Sequence, residues 1–160
     1  MLAFVAIALA VLGGGLIVVV NVNKGSHLEL KGSILKIRSG VIDDNNSAAV
    51  LDLRVENVSD IPFVVRDVTV TFEDQDGKTL EGNVIAKSDF DSLLRFNRLL
   101  GSQLNDGLVI RDRIAPHATV DRMIAARFEL PLAHYESGKA LHLHIQDMDG
   151  PEWDTIYKLK

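Results

Sequence analysis

The sequence predicts a mainly β protein, an antiparallel β-sandwich of about seven strands with one inserted amphipathic helix, preceded by an N-terminal transmembrane helix. Three observations lead to this prediction. Residues 2–20 are apolar and uncharged, apolar and polar residues alternate through much of the remaining chain, and turn residues interrupt that alternation. We therefore divide the chain into a transmembrane helix at 1–22, a tether at 23–27 and a sandwich domain at 28–160.

The composition limits the classes of function. The 160 residues include 17 basic and 22 acidic side chains, which gives a net charge of −5, and no cysteine. Because phosphate binding needs clustered Lys and Arg, we expect no nucleic-acid partner. The lack of cysteine excludes disulfides, thiolate zinc sites and cysteine nucleophiles, and it leaves the redox compartment open.

The first element is the apolar segment. A helix of the 19 residues from 2 to 20 is about 28 Å long, close to the thickness of the hydrocarbon layer. A cleaved signal peptide has a basic n-region and ends at a small-x-small cleavage site. The first charged residue here is Lys24, and residues 18–23 make a poor cleavage site. The segment is therefore predicted to be an uncleaved membrane anchor, with a buried or processed segment as the alternative.

Small residues recur on one face of this helix, at Ala6, Ala10 and Gly14. Such a face lets another helix approach closely, so we expect other transmembrane helices, or a membrane protein complex, as partners. The alternative is that Ala and Gly are simply common in membrane helices. The nearest basic residues follow the span, which by the positive-inside rule places the domain in the cytoplasm. Because a large folded domain translocates with little regard to charge, we favour a periplasmic domain.

The next elements are strands. A first strand with an irregularity near Gly32 covers 28–37, and a loop follows at 43–47. From residue 50 the pattern predicts a half-buried strand. Its inward side chains are Leu51, Leu53 and Val55, and its outward side chains are Asp52, Arg54 and Glu56. Residues 57–62 break the pattern, a strand resumes at 63–72, and a hairpin closes at 74–78 with Gly77 at positive φ.

An amphipathic helix is predicted at 88–104. Ser88 and Asp91 form a weak capping box, and Gly101 is a C′ residue. Its apolar face is formed by Phe90, Leu93, Leu94, Asn97 and Leu100. We expect this face to cap the sandwich, with recruitment of a partner as the alternative. Further strands are predicted at 108–110, 114–130, 141–145 and 155–159.

Two stretches resemble a known group of domains. Residues 50–57, a Pro-containing turn, residues 68–72 and Asp76-Gly77-Lys78 look like the opening of small immunoglobulin-like bacterial domains, and residues 114–120 resemble their I-x-P-G-x-T turn. The similarity is to FxLYD and WHy (late-embryogenesis-abundant-like) domains and covers roughly residues 28–130. The resemblance implies an immunoglobulin-like sandwich and an envelope location, without catalytic residues. His117 stands where these domains commonly have Gly, and the helix is an insertion.

Two loops share the pattern DxDG. They contain Asp74 with Asp76 and Asp147 with Asp149. Paired carboxylates on a tight loop bind Ca²⁺ in some proteins, but neither loop continues as an EF-hand. We expect ordinary Asp-Gly turns. The two loops can pool Ca²⁺ ligands only if both lie at one end of the sandwich.

Four residues near the C-terminus are candidate partner contacts. His142 and His144 are two apart on a strand, so both face the same side. This spacing suits a metal, but no third ligand is visible in sequence, and we predict no metal site. Trp153 and Tyr157 are the other two candidates. The alternative is that Trp153 plugs the end of the core.

No catalytic motif is present: the sequence lacks a nucleophile elbow, a phosphate loop and a dinucleotide fingerprint. We therefore expect no enzyme and no cofactor. The predicted function is that of a single-pass accessory subunit or scaffold that packs its helix in a membrane complex and binds a protein through its sandwich. The alternative is a ligand- or Ca²⁺-binding sensor or a stress-protective envelope domain.

Overall fold

Eight strands make up most of residues 29–159, the part of the chain that the computed structural model describes. They are β1 (Leu30–Asp43), β2 (Asn46–Asn57), β3 (Phe63–Glu73), β4 (Thr79–Val84), β5 (Arg113–Ile114), β6 (Thr119–Phe128), β7 (Ala140–Asp147) and β8 (Glu152–Lys158). The helices are α1 (Lys87–Phe96) and α2 (Leu132–Glu136), and a 3-10 turn covers Arg98–Leu100. The prediction of a mainly β protein is confirmed, and α2 is an additional helix.

The strands pair in the order β1-β2-β6-β4-β3-β7-β8, and β5 pairs with β3. All strand pairs are antiparallel. β4 bonds to β3 on one side and, through Asn83 and Val84, to β6 on the other. β1, β2 and β6 share one core with β3, β7 and β8, so the sheet folds over itself as a β-sandwich.

The core follows the two-residue period of the strands. Leu51, Leu53 and Val55 on β2 are fully buried, together with Ile124 and Phe128 on β6. The facing half contributes Phe63, Val65, Val70, Phe72, Leu141, Leu143 and Ile145. The predicted inward face of β2 is therefore confirmed.

The predicted loops after β2 and after β3 are confirmed, whereas the loop predicted at 43–47 is a two-residue turn at 44–45 between β1 and β2. Asp43 Oδ1 accepts hydrogen bonds from Asn45 N at 2.9 Å and Asn46 Nδ2 at 2.8 Å, and these bonds close the β1–β2 turn. The side-chain bond from Asn46, followed by the backbone bond from Asn45, lowers the pKa of Asp43. Gly77 has φ +81° in the β3–β4 hairpin, as predicted.

The irregularity in β1 is displaced from its predicted place. Gly32 pairs regularly with Val55, and the register shifts between Ile34 and Lys36. Leu35, the extra residue there, is exposed. The shift is a bulge, which leaves one residue of the strand without a partner across the pair.

The predicted helix at 88–104 is shorter, because α1 ends at Phe96. Asn97 Oδ1 accepts a hydrogen bond from Leu99 N at 3.2 Å and begins the 3-10 turn. Gly101 ends that turn with φ +69°. A side chain that bonds a backbone N–H two residues ahead competes with the helix, which explains the early end.

The predicted capping box of α1 is wrong. The N-cap residue is Ala86, which makes no side-chain cap bond. Ser88 Oγ instead bonds Asp89 Oδ1 at 3.2 Å, and the backbone N–H of Asp89 donates to Ala86 O at 2.9 Å. Ser88 lies inside the first turn, two residues after the N-cap position, so it does not cap the helix.

The predicted strand at 108–110 is also wrong. Gly107 forms a single bridge with Met123, and Leu108 N donates to Met123 O at 2.8 Å. β6 already pairs with β2 on one edge and with β4 at Ala126 and Arg127 on the other. The strand does not continue past Leu108, because residues 109–112 form a turn in which Asp112 N donates to Val109 O at 2.9 Å and Arg111 N donates to Val65 O of β3 at 2.7 Å.

The turn at 114–119 joins β5 to β6. Ala118 N donates to Ala115 O at 3.2 Å, and His117 has φ +56°. This left-handed conformation is one that Gly adopts without strain and other residues adopt rarely.

The predicted transmembrane helix and tether lie outside the described residues. Among residues 29–159, no helix is long and apolar enough to cross a bilayer.

Candidate interaction site

α1 packs on the outer face of the β2–β6 pair. Phe90 and Leu94, one helical turn apart, are buried against Val50, Met123 and Ala125. The expectation that the apolar face of the helix caps the sandwich is confirmed. As a result, β2 and β6 carry apolar side chains on both faces.

An exposed apolar surface lies where the end of α1 meets the end of β1. Val41, Ile42, Ile85, Leu93 and Phe96 line one shallow groove there, and we call these five residues the Phe96 surface. Phe96 is 91% exposed, Val41 47% and Ile42 40%. Phe96 falls outside the apolar stripe of the helix, so its exposure was predictable from the sequence. Sequence reasoning nevertheless did not single it out.

A side-chain amide fixes this surface. Asn97 Nδ2 donates to Val41 O at 2.6 Å and ties the end of α1 to β1. A Cβ at Gly40 would lie 2.5 Å from the same Asn97 nitrogen, so a larger residue there would displace the Asn97 side chain. Phe96 is therefore held beside β1 by a specific contact.

A buried ion pair lies beside the 3-10 turn that follows α1, and its arginine binds that segment. Arg38 Nε and Nη2 each lie 3.2 Å from a carboxylate oxygen of Asp52, and the two side chains are 9% and 6% exposed. Arg38 Nη1 also donates to Leu100 O and, at 2.9 Å, to Ser102 O. Asp52 is on the side of β2 that carries Arg54, as predicted, but it is buried in its pair with Arg38.

The outer face of β7 carries His142 and His144, each paired with a different carboxylate. His142 Nε2 lies 2.7 Å from Glu73 Oε2 on β3, and Lys139 Nζ bonds the same carboxylate. The bonds from Lys139 and then His142 lower the pKa of Glu73. His144 Nδ1 lies 2.8 Å from Asp154 Oδ1 on β8. Sequence reasoning missed both carboxylates because strand pairing supplies them.

Trp153 and Tyr157 lie on the other side of β8 from the histidine face. Trp153 packs against the core, with its ring beside Gly32 of β1. Tyr157 lines a shallow groove between β1 and β8. Because side chains alternate along a strand, these two residues do not share one surface with His142 and His144.

The aspartates that begin the DxDG loops bind backbone N–H groups. Asp74 Oδ1 accepts from Asp76 N at 2.9 Å. Asp147 is buried, and it accepts from Val64 N at 2.5 Å and Asp149 N at 2.8 Å. These are turn-stabilising bonds, as expected for Asp-Gly turns.

The two DxDG loops lie at opposite ends of β3. Asp147 pairs with Val65 near the start of that strand, whereas Asp74 follows Glu73 at its end. The condition for pooled Ca²⁺ ligands is therefore not met.

The predicted helix-packing face of Ala6, Ala10 and Gly14 lies outside the described residues.

Comparisons with known proteins find solved structures to which the chain is similar. No family model matches the chain, and no curated protein matches it significantly. The chain is similar to an uncharacterized beta-sandwich protein from Clostridium difficile 630, with a TM-score of 0.45 and 13% identity over 84% of this chain and 87% of that one. It is also similar to the Northeast Structural Genomics Consortium target SoR45, with a TM-score of 0.34 and 11% identity over 84% and 83% of the two chains. The strand pairing of this chain itself defines it as a β-sandwich protein.

Proposed function

We propose that this protein is a non-enzymatic, single-pass membrane protein, an accessory subunit or scaffold, whose sandwich binds a protein partner through the Phe96 surface. One observation carries the proposal: a phenylalanine that is 91% exposed on a groove with apolar walls. Burying such a side chain is worth roughly 1.5–3 kcal/mol. Contiguous exposed apolar residues with polar residues around them are typical of interaction sites.

The shape and rim of the groove indicate the chemistry of the partner. Asp89, Ser92 and Asn97 border the apolar residues. An apolar floor with a polar rim fits a partner that inserts one aromatic or aliphatic side chain and surrounds it with hydrogen-bonding groups. We therefore expect a folded protein surface with such an anchor.

The position of the groove supports a role away from the membrane. β1 begins at Leu30, directly after the predicted tether, and reaches the Phe96 surface at Val41 and Ile42. Twelve residues of strand span about 40 Å. With the proposed anchor in the bilayer, the groove lies at the far end of β1 from the anchor. A partner that is not in the membrane can therefore reach it.

The strand order supports the finer part of the proposal. The neighbours β1-β2-β6 and β3-β7-β8 correspond to the A-B-E and C-F-G orders of immunoglobulin domains. We propose on this basis, and on the resemblance of residues 28–130, a relationship to the FxLYD and WHy envelope domains and a periplasmic location.

The alternative of a Ca²⁺-binding sensor or stress-protective domain has less support. The DxDG aspartates that would supply its ligands already accept backbone hydrogen bonds, and the two loops are a strand length apart.

Site-specific photocrosslinking tests the partner. A benzophenone amino acid replaces Phe96 in the full chain in its native membranes, and Asp76, exposed in the β3–β4 turn, is the matched control position. We expect one discrete crosslinked product from position 96, none from position 76, and at least a tenfold loss with Ile42→Asp. Equal products from both positions, or none from position 96, would exclude the Phe96 surface as the binding site.

Membrane extraction tests the anchor separately. We expect the full chain to remain in the membrane pellet at alkaline pH and a chain beginning at His27 to be released. Release of the full chain would remove the anchor from the proposal and leave the binding surface standing.

A further inference from the structure

The β7–β8 hairpin brings three metal-ligating side chains together. A ring nitrogen of His144 and one carboxylate oxygen each of Glu152 and Asp154 all lie within 4.8 Å of one another. The hairpin register creates this cluster, because His144 pairs with Asp154 and Gln146 pairs with Glu152. Alternation along the strands puts all four side chains on the outer face.

We propose that His144, Glu152 and Asp154 bind a divalent transition-metal ion, with Zn²⁺ as the best match to the ligand set. Imidazole nitrogen and carboxylate oxygen are both ordinary Zn²⁺ ligands, at about 2.0–2.2 Å from the ion. Two such ligand atoms are then about 3–3.5 Å apart. His144 Nδ1 and Asp154 Oδ1 are 2.8 Å apart, so a small side-chain movement admits the ion.

The cluster has the form of an open site. Three protein ligands leave a fourth tetrahedral position for water or for a ligand from outside. Glu152 and Asp154 are exposed and His144 is partly exposed, so an ion reaches the cluster directly from solvent. A site of this kind differs from the closed four-ligand sites that stabilise small folds.

The surroundings of the two carboxylates favour a cation. Within residues 29–159, neither Glu152 nor Asp154 has a Lys or Arg nitrogen within 4.0 Å. Gln146 Nε2 donates to Glu152 Oε1 at 3.1 Å and orients that carboxylate toward the cluster. Outer hydrogen bonds of this type fix the geometry of metal ligands.

The neighbouring histidine provides a control within the same strand. His142 faces the same side, but its carboxylate partner, Glu73, also pairs with Lys139. A lysine ammonium neutralises that carboxylate and repels a metal ion. The two histidines therefore differ in metal affinity although they are two residues apart.

Isothermal titration of the full chain in mild detergent with Zn²⁺ tests the proposal. We expect one saturable Zn²⁺ per chain. His144→Ala and Asp154→Asn each weaken binding at least tenfold, and His142→Ala changes it less than twofold. All three are surface changes, and a melting curve of each variant without metal checks that it is folded.

Three results would overturn the proposal. The first is the absence of saturable binding. The second is an equal loss of Zn²⁺ affinity in His142→Ala and His144→Ala, which indicates adventitious binding to surface histidines. The third is unchanged affinity in Asp154→Asn. The site lies on β7 and β8 and shares no residue with the Phe96 surface, so its outcome is independent of the proposed partner binding.

Discussion

Leu53 and Arg54 are neighbours on β2 whose side chains meet opposite environments. Leu53 is fully buried, whereas Arg54 is exposed and lies 2.8 Å from Asp121. We expect Leu53→Asp to lower the free energy of unfolding by about 4 kcal/mol or more, because it removes core packing and buries an unpaired charge. Arg54→Asp loses an exposed ion pair and costs about 1 kcal/mol. Urea unfolding measures both, and equal costs would show that the β2 register is off by one residue.

Glu73 links stability to pH. Its folded-state pKa lies below the ordinary value of 4.5, first through Lys139 and then through His142. A depressed carboxyl pKa adds stability that is present above the ordinary value and is lost as the pH falls through the folded value. We expect the difference in unfolding free energy between the natural chain and Glu73→Gln to shrink as the pH falls below 4.5. A urea series across pH measures it, and a difference that stays constant in acid would contradict this role.

For single residues, the sequence predicts which face of a strand a side chain lies on better than it predicts what that side chain contacts. The outward direction of Asp52, His142 and His144 follows from alternation alone. Their partners do not, because Arg38 lies on β1 and Glu73 on β3, and only the strand pairing brings them close. The ligand set of His144 was missed for the same reason.

α1 carries one buried and one exposed phenylalanine. Phe90 is 2% exposed and Phe96 is 91% exposed. We expect Phe90→Ala to cost about 3–5 kcal/mol of unfolding free energy, the usual range for a buried phenylalanine. Phe96→Ala changes it by about 0.5 kcal/mol or less, as exposed substitutions usually do. Thermal and urea unfolding of the two variants make the comparison, and a similar loss in both would place Phe96 in the core.

Strands and hairpins were predicted more accurately than the region between β4 and β5. Alternation and turn residues such as Gly77 are local signals, and they mark β2, β3 and β7 well. The end of α1 at Phe96 depends on the Asn97 side chain, and the loss of a strand at 108–110 depends on the turn at 109–112, which bonds to Val65 of β3. Both outcomes depend on specific hydrogen bonds that the pattern of apolar and polar residues does not reveal.

At the scale of the whole molecule, the two halves of the sandwich are held together by one shared core. Both halves of the sheet contribute to one cluster of buried side chains, drawn from residues between Leu30 and Ile145. A domain of this size buries enough surface to be stable without further chain. The sandwich class was predictable from strand number, but the order in which β4 joins the two halves was not, because it is set by long-range pairing.

We predict that this sandwich is a self-sufficient domain and that the N-terminal segment contributes only to its location. Urea unfolding of a chain of residues 27–160 tests it most directly, with far-ultraviolet circular dichroism and the fluorescence of Trp153, the single tryptophan, as two probes. We expect a soluble monomer by sedimentation and one cooperative transition at which both probes coincide. An insoluble or molten chain, or probes that report separate transitions, would show that the N-terminal segment or a partner is part of the fold.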